Sequence, residues 1–323
     1  MKSLTQHITE KLVLNSNSKV RKFNYHPKND IELKSLVKQL VEERGNEADL
    51  NDIDTSELTD LSNIFFKSEF NGDISKWDVS NVKNMSGTFY HSNFTGENGD
   101  ISNWDVSNVT TMGWMFSHSK FNGDLSKWDV SNVRNMEGMF YISSFDGDIS
   151  KWNVSNVTDM SAMFTGLNFN GDLSGWDVSK VKKMNATFQG TKLNTDISTW
   201  DVSNVENMNM MFNGSNFNGD ISKWDVSKVT DMGYMFADSE FNGDISNWNV
   251  RRVSWMAFMF NKSKFNGDIS NWNVRNVTNM ESMFEGAEFN KDISNWDVSS
   301  LKKKLKMFSD CPIKKEYKPK FKK

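Results

Sequence analysis
Tryptophan recurs at positions 77, 104, 128, 152, 176, 200, 224, 248, 272 and 296, at intervals of 24 residues apart from a first interval of 27. A fixed interval of this length means that one small unit is built repeatedly and that neighbouring units bury each other's apolar faces. The three additional residues fall between Phe94 and Asp100, where Phe-Thr-Gly-Glu-Asn-Gly-Asp replaces the usual Phe-Asn-Gly-Asp. One further unit precedes the series, with Leu50, Ile53, Leu58, Leu61, Ile64 and Phe65 in register and Ile53 at the Trp position. This gives eleven units over 49–308, the first and last degraded; the last carries Lys304 where Met belongs. Irregular terminal units suit a stack whose ends face solvent.

Within a unit, the core-type positions are those of Phe70, Ile74, Trp77, Val79, Val82, Met85, Thr88 and Phe89. These columns explain the composition. Only 37% of the chain is hydrophobic, yet it holds 12 Trp, 24 Phe and 19 Met, and all but Met1 and Met210 of the Met lie in two columns. The alternation in Trp77-Asp78-Val79-Ser80 predicts a short strand with one buried face. The three-residue spacing of Val82, Met85 and Thr88 predicts a 3₁₀ or short α turn. Asn71-Gly72-Asp73 and Ser80-Asn81 supply turns and caps. One strand and one helical turn per unit predict a right-handed repeat solenoid of the leucine-rich-repeat kind, whose period is about 20–29 residues.

The unit Phe-Asn-Gly-Asp-Ile-Ser-Lys-Trp-Asp-Val-Ser-Asn-Val-Thr-Asp-Met-x-x-Met-Phe resembles the repeat of the BspA-like leucine-rich-repeat surface-protein family, in its DUF285 branch of short bacterial surface-protein repeats. The resemblance covers about three quarters of the chain. It implies a surface, adhesion or host-interaction protein of gut or oral bacteria or mycoplasmas, or a product of their phages. The expected function is non-enzymatic binding of a protein partner. The alternative is a structural or decorating component of a phage particle or other large assembly, and an immunity or carbohydrate-binding role is also open.

Residues 1–48 do not repeat. Leu4, Ile8 and Leu12 mark one face of a helix over Ser3–Leu14. A second helix is expected to begin near Asn29, with Glu32 in capping-box position, and to end at Gly45. Its apolar face is Leu33, Leu36, Val37, Leu40 and Val41. This segment reads as an N-terminal cap or as a docking element for self-association or assembly. At the other end, ten Lys face Asp310 and Glu316 from residue 302 onward, a charge of +8 against −4 for the whole chain. The tail, 309–323, reads as solvated and mostly disordered. Its isolated Tyr317 and Phe321 make no stacking platform, so no specific nucleic-acid partner is expected.

Several classes of chemistry lack their residues. The single Cys311 and the scattered His7, His26, His91 and His118 form no metal-ligand pattern, and no run of about 18 apolar residues spans a membrane. The N-terminus has no apolar signal core, so a cytoplasmic or assembly-bound product is expected in place of Sec export. Asp recurs ten times in the Asp73 column, but no unit clusters the oxygen ligands of a calcium loop. No serine has a recurring histidine beside it, and no phosphate-binding glycine motif occurs. Neither catalysis nor a cofactor is expected.

The breaks in the columns carry more information. The Gly87 column reads Gly87, Trp114, Gly138, Ala162, Ala186, Met210, Tyr234, Phe258 and Ser282. Met210, Tyr234 and Phe258 are large in consecutive units, and Trp255 replaces a polar residue beside them. Arg251 and Arg275 replace Ser of the Ser80 column, and Arg252 replaces Asn81. Either the column points inward and its sizes tune packing, or it points outward. In the second case Met210, Tyr234, Trp255 and Phe258, with Arg251, Arg252 and Arg275, form a candidate partner-binding patch.

Overall fold
Regular secondary structure is scarce in this repeat protein. The computed structural model describes residues 23–193 and 195–321, so the helix expected over Ser3–Leu14 lies outside the described residues. Among those described there is one α-helix, α1 (Asp30–Arg44), and a 3₁₀ turn at Lys315–Tyr317. Everything between is a succession of turns that returns to the same place every repeat.

Helix α1 begins where the sequence signals it. The Asn29 side chain accepts from the Glu32 amide at 2.9 Å, and Gly45, at φ 89°, ends the helix by donating to the Val41 carbonyl. The Glu32 carboxylate reaches the Lys28 amide, one residue before the cap. Leu33, Val37 and Leu40 are buried in the core that runs on through the repeats. Arg44 holds this cap to the first repeat through two hydrogen bonds to the Asp52 carboxylate, at 3.0 and 3.1 Å.

The parallel bridges that recur from repeat to repeat fall along one segment, and it is not the one the alternation predicts. Isolated parallel bridges link Asp60, Asn84, Thr111, Asn135, Asp159, Lys183, Asn207, Asp231, Trp255, Asn279 and Lys303 in sequence. In a central repeat, the amides of Met160, Ala162, Phe164 and Gly166 donate to the carbonyls of Lys183, Asn185, Thr187 and Gln189 in the next. The amides of Met163, Thr165 and Leu167 close turns onto Met160, Ala162 and Phe164. Half of the donors in this ribbon therefore bond between repeats and half within one. Ala162 (φ 55°) and Gly166 (φ 65°) occupy the third positions of two such turns, the pattern of type II turns. The 3₁₀ or α turn expected here is thus replaced by a ribbon of overlapping turns.

The stretch Trp77–Ser80 does alternate, with Trp77 and Val79 buried and Asp78 exposed, but it forms no strand among the described residues. Side chains supply the links there. The Trp77 indole donates to the Leu50 carbonyl one repeat back at 3.0 Å, and the Trp128 and Trp176 indoles do the same to Ile101 and Ile149. The amide of Asn108 donates to the Ser80 carbonyl of the preceding repeat, and Asn132 to Ser107. With its carbonyls met by Trp and Asn, the backbone has no need of a strand ladder.

The core is a continuous aromatic column. Phe116 stacks on Phe140 at 5.8 Å and Phe212 on Phe236 at 5.7 Å, while Trp248 lies 6.5 Å from Trp272. The basic tail departs from the expectation of a disordered terminus. Ile313 is buried, the Tyr317 carbonyl accepts from the Ile293 amide, and the Lys304 ammonium sits 4.3 Å over the Phe321 ring. These apolar and backbone contacts seat the tail on the last repeat, as α1 is seated on the first.

Candidate binding face
The two carboxylate columns point to structure before chemistry. Asp124, Asp244 and Asp268 each accept from the amide two residues on, at 2.8–2.9 Å. Those amides, of Ser126, Ser246 and Ser270, hold the carboxyls below their ordinary range. Asp78, exposed between Trp77 and Val79, closes the same kind of turn by accepting from the Ser80 amide. No group of three or more His, Cys, Asp or Glu side chains able to hold a metal occurs among the described residues.

The turn ribbon, in contrast, varies on its outer side. Its two outward columns lie at positive φ in every repeat. One runs Asn63, Gly87, Trp114, Gly138, Ala162, Ala186, Met210, Tyr234, Phe258, Ser282 and Lys306. Glycine fits this backbone best, and a bulky residue pays a strain of about 1–2 kcal/mol to stand there. Trp114, Met210, Tyr234 and Phe258 nevertheless stand at such positions.

Met210, Tyr234 and Phe258 are half-buried, so their column reaches the surface, and Trp255, in a neighbouring column, is 40% exposed. Their amides bond in succession to Gly233, Ala257 and Glu281, which sets the side chains one above the next. Tyr234 and Phe258 stack at 4.5 Å with 6° between their planes. Burial, and then the Glu281 carboxylate, push the Tyr234 phenol up. Trp255 lies against Gly233, whose missing side chain would meet the indole at 2.7 Å. The four apolar residues therefore form one patch. Arg251, Arg252 and Arg275 are exposed on a turn preceding the ribbon, and among the described residues none makes an ion pair or a ring contact. Arg251 and Arg252 precede Trp255 by four and three residues in the same repeat.

A second cluster on the same ribbon escaped the sequence reading. Phe66 (44% exposed) stacks on Tyr90 at 5.0 Å, and His91 stacks on His118 at 4.2 Å. Tyr141 meets both His118, at 5.2 Å, and Trp114, at 5.5 Å. Burial, followed by the His91 charge, lowers the His118 pKa. The signal was present as breaks in the columns of Tyr90 and His91, which elsewhere hold Thr165, Gln189, Asn213, Gly166, Gly190 and Gly214. Between the two clusters these smaller and polar residues leave a smoother stretch of ribbon.

A family model described as Mycoplasma protein of unknown function, DUF285, matches five overlapping segments of the chain: 32–144, 92–199, 141–246, 183–287 and 239–317. No curated protein and no solved structure matches it. No helix among the described residues is long and apolar enough to cross a membrane.

Proposed function
This chain belongs to the DUF285 family, and we propose for it a non-enzymatic role: a solenoid of stacked turns that binds a protein partner through the variable outer side of its ribbon. The BspA-like leucine-rich-repeat character of the unit and an adhesive role belong to the same reading. The observation that carries it is the stacked Tyr234–Phe258 pair with Met210 and Trp255, held outward on a backbone that favours glycine. Large aromatics beside Arg are the composition of binding hot spots, where single truncations cost about 2 kcal/mol or more. Arg251, Arg252 and Arg275 would steer an acidic partner and set its orientation.

The test is a triple variant, Tyr234→Ala, Trp255→Asn and Phe258→Ala, which restores residue types used elsewhere in these columns. Proteins retained by the full-length chain from its native source are identified by mass spectrometry, and the affinity of each is then measured directly. The variant is expected to keep its melting temperature within a few degrees and to lose at least tenfold in affinity. Unchanged affinity in a folded variant, or no protein retained by the parent chain, overturns the reading.

A further inference from the structure
We propose that Trp114 is a stacking platform for a neutral sugar, at a site separate from the Tyr234–Phe258 patch. Ten of the 12 Trp belong to the buried column, and Trp114 and Trp255 are the two that do not. Trp114 stands at φ 59° in a column where its neighbours on both sides, Gly87 and Gly138, are glycine. A side chain on Gly138 would come within 2.5, 2.6 and 2.7 Å of three consecutive atoms of the Trp114 ring. Near-equal distances to adjacent ring atoms place that point over the ring's face and not at its edge. The indole thus leans flat over Gly138, and its ring contact is the tilted Tyr141 at 55°. In the Tyr234–Phe258 pair the rings cover each other's faces; among the described residues no ring stacks on the Trp114 face turned away from Gly138.

In the three repeats around Trp114, ribbon positions 84–91, 111–118 and 135–142 hold polar and apolar residues and, apart from histidine, one charged side chain, Glu137. Ser86 and Thr111 share a hydrogen bond at 3.1 Å, and Thr111 is bridged to Asn135 in the next repeat. Tyr141 meets the Trp114 ring at 5.5 Å and is met in turn by His118, which is bonded through Nδ1 to the Ser117 hydroxyl. A pyranose offers what such a surface accepts: an apolar face of C–H bonds for the ring, and hydroxyls that both donate and accept for the rim. An anion would find no cationic cluster among these side chains, whereas the hydroxyls of a sugar can both donate to and accept from their Ser, Thr and Asn groups.

The probes are cellohexaose, chitohexaose and laminarihexaose, added to the full-length chain and followed by saturation-transfer NMR and by quenching of indole fluorescence. At least one is expected to bind with a dissociation constant on the order of 1 mM, the strength of a few contacts. Trp114→Ala should weaken it at least tenfold and Trp114→Phe less, with melting temperatures confirming that both fold. The triple variant at Tyr234, Trp255 and Phe258 should bind the sugar as the parent does, which separates this site from the protein-binding patch. No response to any of the three sugars at about 10 mM, or undiminished binding by folded Trp114→Ala, overturns the proposal. Protection of Trp114 by a protein with no sugar response overturns it as well.

Discussion
Replacing Trp176 with alanine separates the two parts that a column tryptophan plays. The side chain is 4% exposed and its ring lies 6.0 Å from Phe164. Its indole N–H reaches the Ile149 carbonyl of the preceding repeat at 3.2 Å. Truncation of a buried aromatic costs about 3–5 kcal/mol. Little of that comes from the hydrogen bond, because the Ile149 carbonyl also accepts from the Trp152 amide at 3.1 Å and is not orphaned. The bond is therefore worth about 1 kcal/mol. Trp176→Phe keeps most of the apolar volume and loses that bond, so its expected cost is about 1–2 kcal/mol. Urea unfolding followed by circular dichroism measures both, provided that the slope is unchanged between variants. A loss below about 1 kcal/mol for Trp176→Ala would refute burial of the column. Equal losses for the two variants would refute the division between ring packing and hydrogen bond.

Ala162→Gly, normally destabilising, should stabilise by about 0.5–1 kcal/mol, because Ala162 stands at φ 55° where glycine is unstrained; a lower melting temperature would contradict the turn assignment. Acidification should destabilise the chain. Asp124, Asp244 and Asp268 have carboxyls held below their ordinary values, so their contribution is complete above the unfolded carboxylate pKa of about 4 and is lost as pH falls through the lower folded values. The melting temperature should therefore be flat from about pH 7 to 5 and fall below about 4, and a rise on acidification would contradict it. Adding EDTA or calcium should leave the melting temperature unchanged, since the Asp columns already spend their oxygens on turn amides; a reproducible shift with calcium would reveal a folded-state site.

The period made the core legible. Phe70, Ile74, Trp77, Val79, Val82, Met85 and Phe89 are all buried, because residues that recur at a fixed interval must meet their equivalents in the next repeat. The backbone was less legible. Alternation at Trp77–Ser80 reports which side chains face inward, and it is silent on whether carbonyls are met by a strand or by the indoles and amides of Trp and Asn. The positive-φ columns were obscured because Trp114, Met210, Tyr234 and Phe258 occupy positions that glycine would have marked. Gly166, Gly190 and Gly214 carry that mark in the neighbouring column. The same substitutions exposed the Tyr234–Phe258 patch, since three large residues fall in consecutive repeats of one column. The Phe66–Tyr141 cluster is divided among three columns, so its ring contacts were not legible from any one of them.

Selective oxidation of tryptophan by N-bromosuccinimide, with the modified positions read by peptide mass spectrometry, tests most directly whether the ribbon carries its variable side chains outward while the repeat buries the rest. Of the 12 Trp in the folded chain, Trp255 and Trp114 should react first, and the ten of the column, each at most 4% exposed, should resist until the protein unfolds. Rapid modification of Trp128, Trp176 or Trp224 in the folded protein, or protection of both Trp114 and Trp255, would contradict it.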